Sequence, residues 1–225
     1  MNIYGDWGNV LVLKQRAQWH GYDIELLEYN QADIFPEDVD IIVGGGGQDA
    51  GQSKIKNDLP AIKSKVQQLA TDGTPMLVIC GLYQLFGNFF QTQSGEKITG
   101  IGVFDTETYG KAERLIGNVV MRSEEFGEIL GYENHSGQTF LSSTVSPLAT
   151  IQKGVGNNQT DKTEGARVHN VIGSYLHGSL LPKNPQIADW LIETAAIKKY
   201  GEFTPHVIDD RFSEEARKRA RARPR

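Results

Sequence analysis

The chain has 225 residues, 39% of them apolar and 23% charged, with a net charge of −5 and a single cysteine. That composition suits one large globular domain with an appendage, and it excludes a disulfide-stapled scaffold. No run approaches the roughly 20 apolar residues a membrane helix needs, and the first ten residues lack the basic and apolar regions of a signal peptide.

Val10 to Gln18 is predicted to be a helix with an apolar face, capped by Asp6 or Asn9 and ended by Gly21. Tyr22 to Tyr29 is predicted as a strand. Asp40 to Val43 is a short buried strand that runs into the glycine loop Gly44–Gly47. Lys54 to Ala70 is an amphipathic helix, with Pro60 placed to start it anew. Met76 to Ile79 is a buried strand, followed by Cys80-Gly81 and a helix from Leu82 to Phe90. Residues 98–175 change character. Short β-like runs (Ile101 to Phe104, Leu115 to Met121, Phe140 to Leu141, Val168 to Ile172) alternate with Gly, Asn and Ser clusters, and Gly154 to Gly165 reads as an exposed loop. Leu180 to Lys199 closes the core as a helix entered through Pro182 and Pro185. Strand, glycine loop, helix, strand, Cys and helix in that order make an α/β pattern with parallel strands.

Residues 1–205 are read as the domain and 206–225 as a basic tail. Six of the last ten residues are basic. Without them 17 basic residues stand against 28 acidic ones, a balance of −11 that argues against nucleic-acid binding by the body. The tail, led by Ser213-Glu214-Glu215, reads as a frayed, solvated helix end. Contact with an anionic lipid surface or RNA is the less favoured reading.

Cys80 stands where a buried parallel strand meets a helix. That junction lies at the carboxyl end of the sheet, where open α/β sheets bind ligands, and a helix start there favours thiolate. It has the strand–turn–helix form of a nucleophile elbow. Lone cysteines more often simply pack, but Gly81 permits the tight turn. A nucleophile needs a base and an oxyanion site. Of the five histidines, His177 follows the apolar run Val171-Ile172 and reaches the sheet rim in the same way. His20, His169 and His206 are read as surface or core residues. The glycine loop and the Gly81 N–H are candidates for the oxyanion site, with Gly46 the favoured donor of the loop.

Three segments carry a resemblance. Val78-Ile79-Cys80-Gly81-Leu82-Tyr83-Gln84 is similar to the Ile-Cys-Gly-Gly-Tyr-Gln segment of class I glutamine amidotransferases of the cobyric acid synthase branch. Gly131-Tyr132-Glu133-Asn134-His135-Ser136-Gly137 resembles that branch's Gly-Tyr-Glu-x-His-x-Gly segment. Ser174-Tyr175-Leu176-His177-Gly178, followed by Asn184-Pro185, resembles its catalytic-histidine segment. Tyr4-Gly5-Asp6-Trp7-Gly8-Asn9 and Gly44 to Asp49 narrow the resemblance to the stand-alone, GatD-type glutaminase subunits of lipid II isoglutaminyl synthase. The resemblance implies a flavodoxin-like α/β fold with a mostly parallel central sheet and an antiparallel, strand-rich segment.

It also implies Cys80 as nucleophile, His177 as general base and acid, Arg114 as the residue that binds the α-carboxylate of L-glutamine, and Gln84 as a further substrate contact. Glu133 and His135 are read as structural. A Mur-ligase-like, MurT-type partner is implied, with which the family amidates the D-glutamate of the peptidoglycan stem peptide. The sequence lacks a Gly-x-x-x-x-Gly-Lys-Ser/Thr phosphate loop. No cofactor is therefore expected in this chain, and ATP and Mg are expected in the partner. The implied location is cytoplasmic, at or near the inner membrane face. The alternatives are a subunit serving a cobyrinate-type synthetase and a non-catalytic redox or partner-binding module.

Three departures stand out. Leu82 replaces a second glycine. Ser179 stands where many class I relatives carry a Glu that orients the base, so the partner is expected to supply that acid or rearrange the site. Relatives also carry a strand ahead of the Tyr-Gly-Asp motif, where this sequence begins inside it, so either the start codon was called late or an edge strand is missing.

Overall fold

The computed structural model describes residues 5–47, 55–177 and 180–224. In chain order the elements are α1 (Trp7–Trp19), β1 (Ile42–Gly44), α2 (Leu59–Thr71), β2 (Met76–Ile79), α3 (Gly81–Phe86), β3 (Phe89–Gln91), β4 (Lys97–Thr99), β5 (Thr106–Ser123) and β6 (Gly127–Leu141). There follow β7 (Ala149–Lys153), β8 (Thr163–Glu164), β9 (Ala166–Val168), β10 (Val171–Ser174), β11 (Leu176–His177), α4 (Leu180–Lys183), α5 (Pro185–Tyr200) and α6 (Arg211–Ala222).

Two sheets carry the molecule. The first has the order β1-β2-β10-β9, with β1, β2 and β10 parallel and β9 antiparallel at the edge. The second runs β11-β6-β5-β3-β4, with β7 and β8 extending from β5, and is antiparallel except for β3 on β5. The α/β expectation with a parallel core and an antiparallel segment is met.

β2 explains the parallel core. Its four residues Met76-Leu77-Val78-Ile79 are fully buried, as a strand covered on both faces requires. Leu69 and Val66 of α2 and Ile187, Leu191 and Ile192 of α5 belong to the same apolar core.

Several predicted elements differ. Tyr22 to Tyr29 forms no strand. The segment is mostly exposed and has no ladder partner among the described residues, and without one an alternating pattern has nothing to pair with. Ile101 to Phe104 is no strand either. Its N–H groups close the end of α3 instead, Ile101 donating to Leu85 O at 2.7 Å and Val103 to Phe86 O at 2.8 Å. The helix predicted to reach Phe90 stops at Phe86, and Phe89 begins β3. Lys54 lies outside the described residues; the helix starts at Leu59 with Pro60 in its first turn.

The short runs at Leu115 and Phe140 belong to one long hairpin, β5 of 18 residues against β6 of 15. Gly154 to Gly165 is not an exposed loop throughout, since Asn157 and Asn158 are buried. Asn157 Nδ2 donates to Gly165 O and its Oδ1 accepts from Gly165 N, both at 2.9 Å. Side-chain amides that bond to backbone in this way make a compact turn from polar residues.

The basic tail forms α6, and none of its residues is buried. It is docked nonetheless. Arg217 donates to Lys183 O, Asn184 Oδ1 and Glu128 O. The preceding segment is strapped to α1, where the buried Arg16 holds both Asp189 at 2.6 Å and Asp210 at 2.5 Å. His20 and His206 belong to this strap, as His206 N donates to His20 Nδ1 at 3.1 Å. A groove of about 450 Å³ lined by Leu11, Trp19 and Phe212 lies beside it.

Candidate active site

β2 delivers Cys80 to the carboxyl end of the parallel sheet. The residue turns sharply there, with φ 50° and ψ −108°. A non-glycine residue in the left-handed region stores about 1–3 kcal/mol, which the surroundings must hold in place. They do so on both sides: Cys80 N donates to Ser174 O at 2.8 Å, and Cys80 O accepts from Gln84 N at 3.0 Å, inside α3. Cys80 is 6% exposed and forms no disulfide. Leu82 fits because of Gly44. A Cβ at that glycine would stand 1.9 Å from Leu82 Cδ2, so the glycine loop makes room for the bulkier turn.

β10 lies beside β2, with Ser174 opposite Ile79. The chain then leaves this sheet. Through Tyr175 it crosses to β11, where Leu176 pairs with Glu133 and His177 with Tyr132 of β6. The crossing carries His177 into the second sheet, three residues past Ser174, which holds Cys80 N. Glu164 pins it by accepting from Tyr175 N at 2.6 Å, and Ser174 Oγ accepts from Leu176 N at 3.0 Å. Burial pushes the Glu164 carboxyl up to about 8.

His177 is buried, and its Nδ1 lies 3.1 Å from Asp6 Oδ1. Asp6 is itself buried, and its Oδ2 accepts from Gly46 N at 2.6 Å. Where Asp6 accepts in this bond, the His177 proton sits on Nδ1 and Nε2 is the unprotonated nitrogen of the neutral ring. This is the orienting group the sequence reading missed. The expectation that a partner supplies it is corrected: the acid comes from the start of α1 in the same chain. The sequence read Asp6 only as a cap candidate, whereas its side chain makes no cap bond and turns to His177 instead. Ser179 lies outside the described residues.

Two other assignments change. Gly46 was expected to give its N–H to an oxyanion, but that N–H is committed to Asp6. Gly46 therefore positions the carboxylate, while Gly81 at the first position of α3 keeps an N–H that the helix does not use. Gln84 was expected to touch substrate, yet it is buried, and its Nε2 donates to Tyr175 OH at 3.2 Å. Tyr175 OH also bonds Thr139 Oγ1 at 2.6 Å, so Gln84 belongs to a polar chain under the crossing strand. Gly137 leaves space for it, since a Cβ there would lie 2.2 Å from Gln84 Nε2.

Arg114 is exposed and bonded to Asn134. Glu133 is structural: its carboxylate accepts from Val155 N and Gly156 N. His135 stacks flat on Tyr175 at 3.6 Å, with Nδ1 2.7 Å from Gly137 O, and burial pushes it down to about 3. Among the described residues no group of three His, Cys, Asp or Glu side chains could hold a metal ion, and no helix is long and apolar enough to cross a membrane.

A thiol at a strained elbow, an imidazole bonded to a carboxylate and a helix N–H are the groups that thiol-based hydrolysis uses. Residues 1–185 match the model of the CobB/CobQ-like glutamine amidotransferase domain. The GatD subunit of a glutamine-hydrolysing lipid II isoglutaminyl synthase from Staphylococcus aureus is 39% identical, covering 93% of this chain and 86% of its own length. The corresponding subunit from Streptococcus pneumoniae is 41% identical, covering 90% and 79%. A probable cobyric acid synthase from Methanosphaera stadtmanae is 29% identical over 63% of this chain and 31% of its own. A crystal structure of a glutamine amidotransferase superposes with a TM-score of 0.59 at 17% identity, covering 83% of this chain and 93% of that one. The chain is thus a member of the CobB/CobQ-like glutamine amidotransferase family, on the branch of the GatD subunits.

Proposed function

We propose that the chain is the glutaminase subunit of a two-subunit lipid II isoglutaminyl synthase. In this reading it hydrolyses L-glutamine and passes ammonia to a Mur-ligase-like, MurT-type partner that amidates the D-glutamate of the peptidoglycan stem peptide. What supports the catalytic half is Cys80 on a strained elbow, its N–H held by Ser174 O at the end of the strand that leads into the His177–Asp6 couple. The names and coverage of the relatives from S. aureus and S. pneumoniae support its place as the glutamine-hydrolysing subunit of such a synthase.

Glutamine enters with its α-carboxylate on Arg114, whose planar, permanently charged fork suits a carboxylate. The Cys80 thiolate attacks the side-chain amide carbon. The oxyanion is held by the N–H of Gly81, and one such donor is worth about 3–4 kcal/mol. His177 Nε2 protonates the departing ammonia, which leaves a glutamyl thioester on Cys80. Water, deprotonated by His177, then releases glutamate and restores the thiol. Asp6 stabilises the imidazolium formed on the way. Activation of the acceptor carboxylate by ATP and Mg falls to the partner, and the complex works at the cytoplasmic face of the membrane, where a lipid-linked acceptor is available.

The test is ammonia release from L-glutamine by the full chain. Cys80→Ala is expected to abolish it with a melting temperature near that of wild type, and His177→Ala to abolish it with some loss of stability, because the buried Asp6 loses its partner. Co-expression with a Mur-ligase-like subunit should then yield ATP-dependent amidation of the stem-peptide D-glutamate. Ammonia release without that amidation would leave the glutaminase and sink the acceptor.

A further inference from the structure

Arg114 sits in an irregular stretch of β5. Gly110 faces Gly137 of β6 and Leu115 faces His135, so residues 111–114 stand opposite the single residue Ser136. A bulge of this kind bends a strand and re-aims the side chains it carries. Two residues hold it. Glu113 Oε2 accepts from Gln159 Nε2 at 2.9 Å. Arg114 folds back onto Asn134, whose Oδ1 accepts from Nη2 at 2.7 Å and from Nε at 3.2 Å, while the Asn134 carbonyl accepts from Nη2 at 3.2 Å.

All three bonds use the Nε and Nη2 atoms of the guanidinium. Among the described residues Nη1 has no hydrogen-bond partner and no carboxylate forms an ion pair with Arg114. The fork is fixed in direction with its charge uncancelled and one end open. It also faces the right way. Side chains two apart on a strand share a face, so Asn134 shares one with Tyr132, and Tyr132 lies directly opposite His177.

We propose that Asn134 is a positioning residue for glutamine: its neutral amide holds Arg114 in the bulge so that Nη1 meets the substrate α-carboxylate. This rests on the reading of Arg114 given above and adds what sets its direction. A neutral tether matters because an acid at the same place would bond the guanidinium equally well and compete with the substrate for its charge.

The test compares the full chain as wild type, Asn134→Asp, Asn134→Ala and Arg114→Ala. Each hydrolyses glutamine and the glutamine α-amide, which lacks the carboxylate. Asn134→Asp is expected to raise KM for glutamine about tenfold or more, the scale of a lost charge-assisted hydrogen bond. Its kcat should stay within about twofold by the same argument, and its preference for glutamine over the α-amide should fall with the KM change. Asn134→Ala, which loosens the fork without adding charge, should show a smaller rise. If Arg114→Ala raises KM and Asn134→Asp does not, the tether is refuted while the carboxylate reading stands. If Arg114→Ala also leaves KM unchanged, that reading fails and this one with it. A lower kcat with unchanged preference would mark Asn134 as structural only and overturn the proposal.

Discussion

Asp6 is the residue whose environment says most about its role. It is buried, it faces His177, and its second oxygen is fixed by a backbone N–H from the glycine loop. Replacing it with Asn keeps the shape but removes the charge and offers the imidazole the wrong tautomer. In a hydrolase triad that change costs up to about 10⁴ in kcat. We expect Asp6→Asn to lower the rate of glutamine hydrolysis by about 10²-fold or more, with a near-normal melting temperature, measured as ammonia release at saturating glutamine. A rate within a few-fold of wild type would mean that the acid comes from elsewhere, the partner included. At this scale the strand-end positions of Cys80 and His177 were legible in local context, while Arg114 was reached only through the resemblance. Gln84 and Gly46 were not, because which way a side chain or an N–H points depends on neighbours far along the chain, here Tyr175 and Asp6.

Two strands, β2 and β10, decide where Cys80 and the segment leading to His177 stand. β10 must run beside β2, and its packing tolerates no side chain at Gly173. A Cβ there would lie 2.2 Å from Tyr83 Cδ2 and 2.8 Å from Phe104 Cε2. Both rings are fully buried and pack edge to face against each other, so neither has room to retreat. Overpacking of this kind costs about 1–3 kcal/mol. Gly173→Ala is expected to lower stability by that amount in urea titrations. It should also slow glutamine hydrolysis, because the displaced strand carries Ser174, which anchors Cys80 N, and leads into His177. Loss of stability without loss of rate would show that the elbow is insulated from β10. The bulge in β5 is the other element-scale device: the alternation of Leu115 to Met121 announces a strand but not the extra residues ahead of it.

The whole molecule stores a buried acid behind the active-site strand. In the folded chain Glu164 keeps its proton until about pH 8 because burial disfavours the carboxylate, against an ordinary value of 4.5. The folded state therefore binds more protons than the unfolded state between those values. Stability from this group is fully present below about pH 4.5 and is lost as pH rises toward 8. The maximum effect is on the order of 4 kcal/mol. His135 acts at the acid end with the opposite slope, since its neutral form is favoured when folded and it costs stability as pH falls from 6.5 toward 3. We expect the melting temperature of wild type to drop between pH 5 and pH 8 by more than that of Glu164→Gln, which cannot ionise. Equal drops in the two proteins would show that Glu164 ionises freely in the fold.

What the amino-acid sequence determined by itself is the local backbone that carries Cys80 and His177. Four consecutive apolar residues before Cys80-Gly81 demand a buried strand ending in a tight turn, and the apolar run before His177 demands a second. These are local consequences of burial and backbone geometry, so they can be read from a few adjacent letters. What the tertiary structure decided is everything that joins distant segments. Asp6 meets His177 from 171 residues away, Asn134 catches Arg114 across a bulge, and Tyr22 to Tyr29 has no ladder partner among the described residues and forms no strand. Such pairings are set by which surfaces the packed sheets bring together, and no local pattern encodes that.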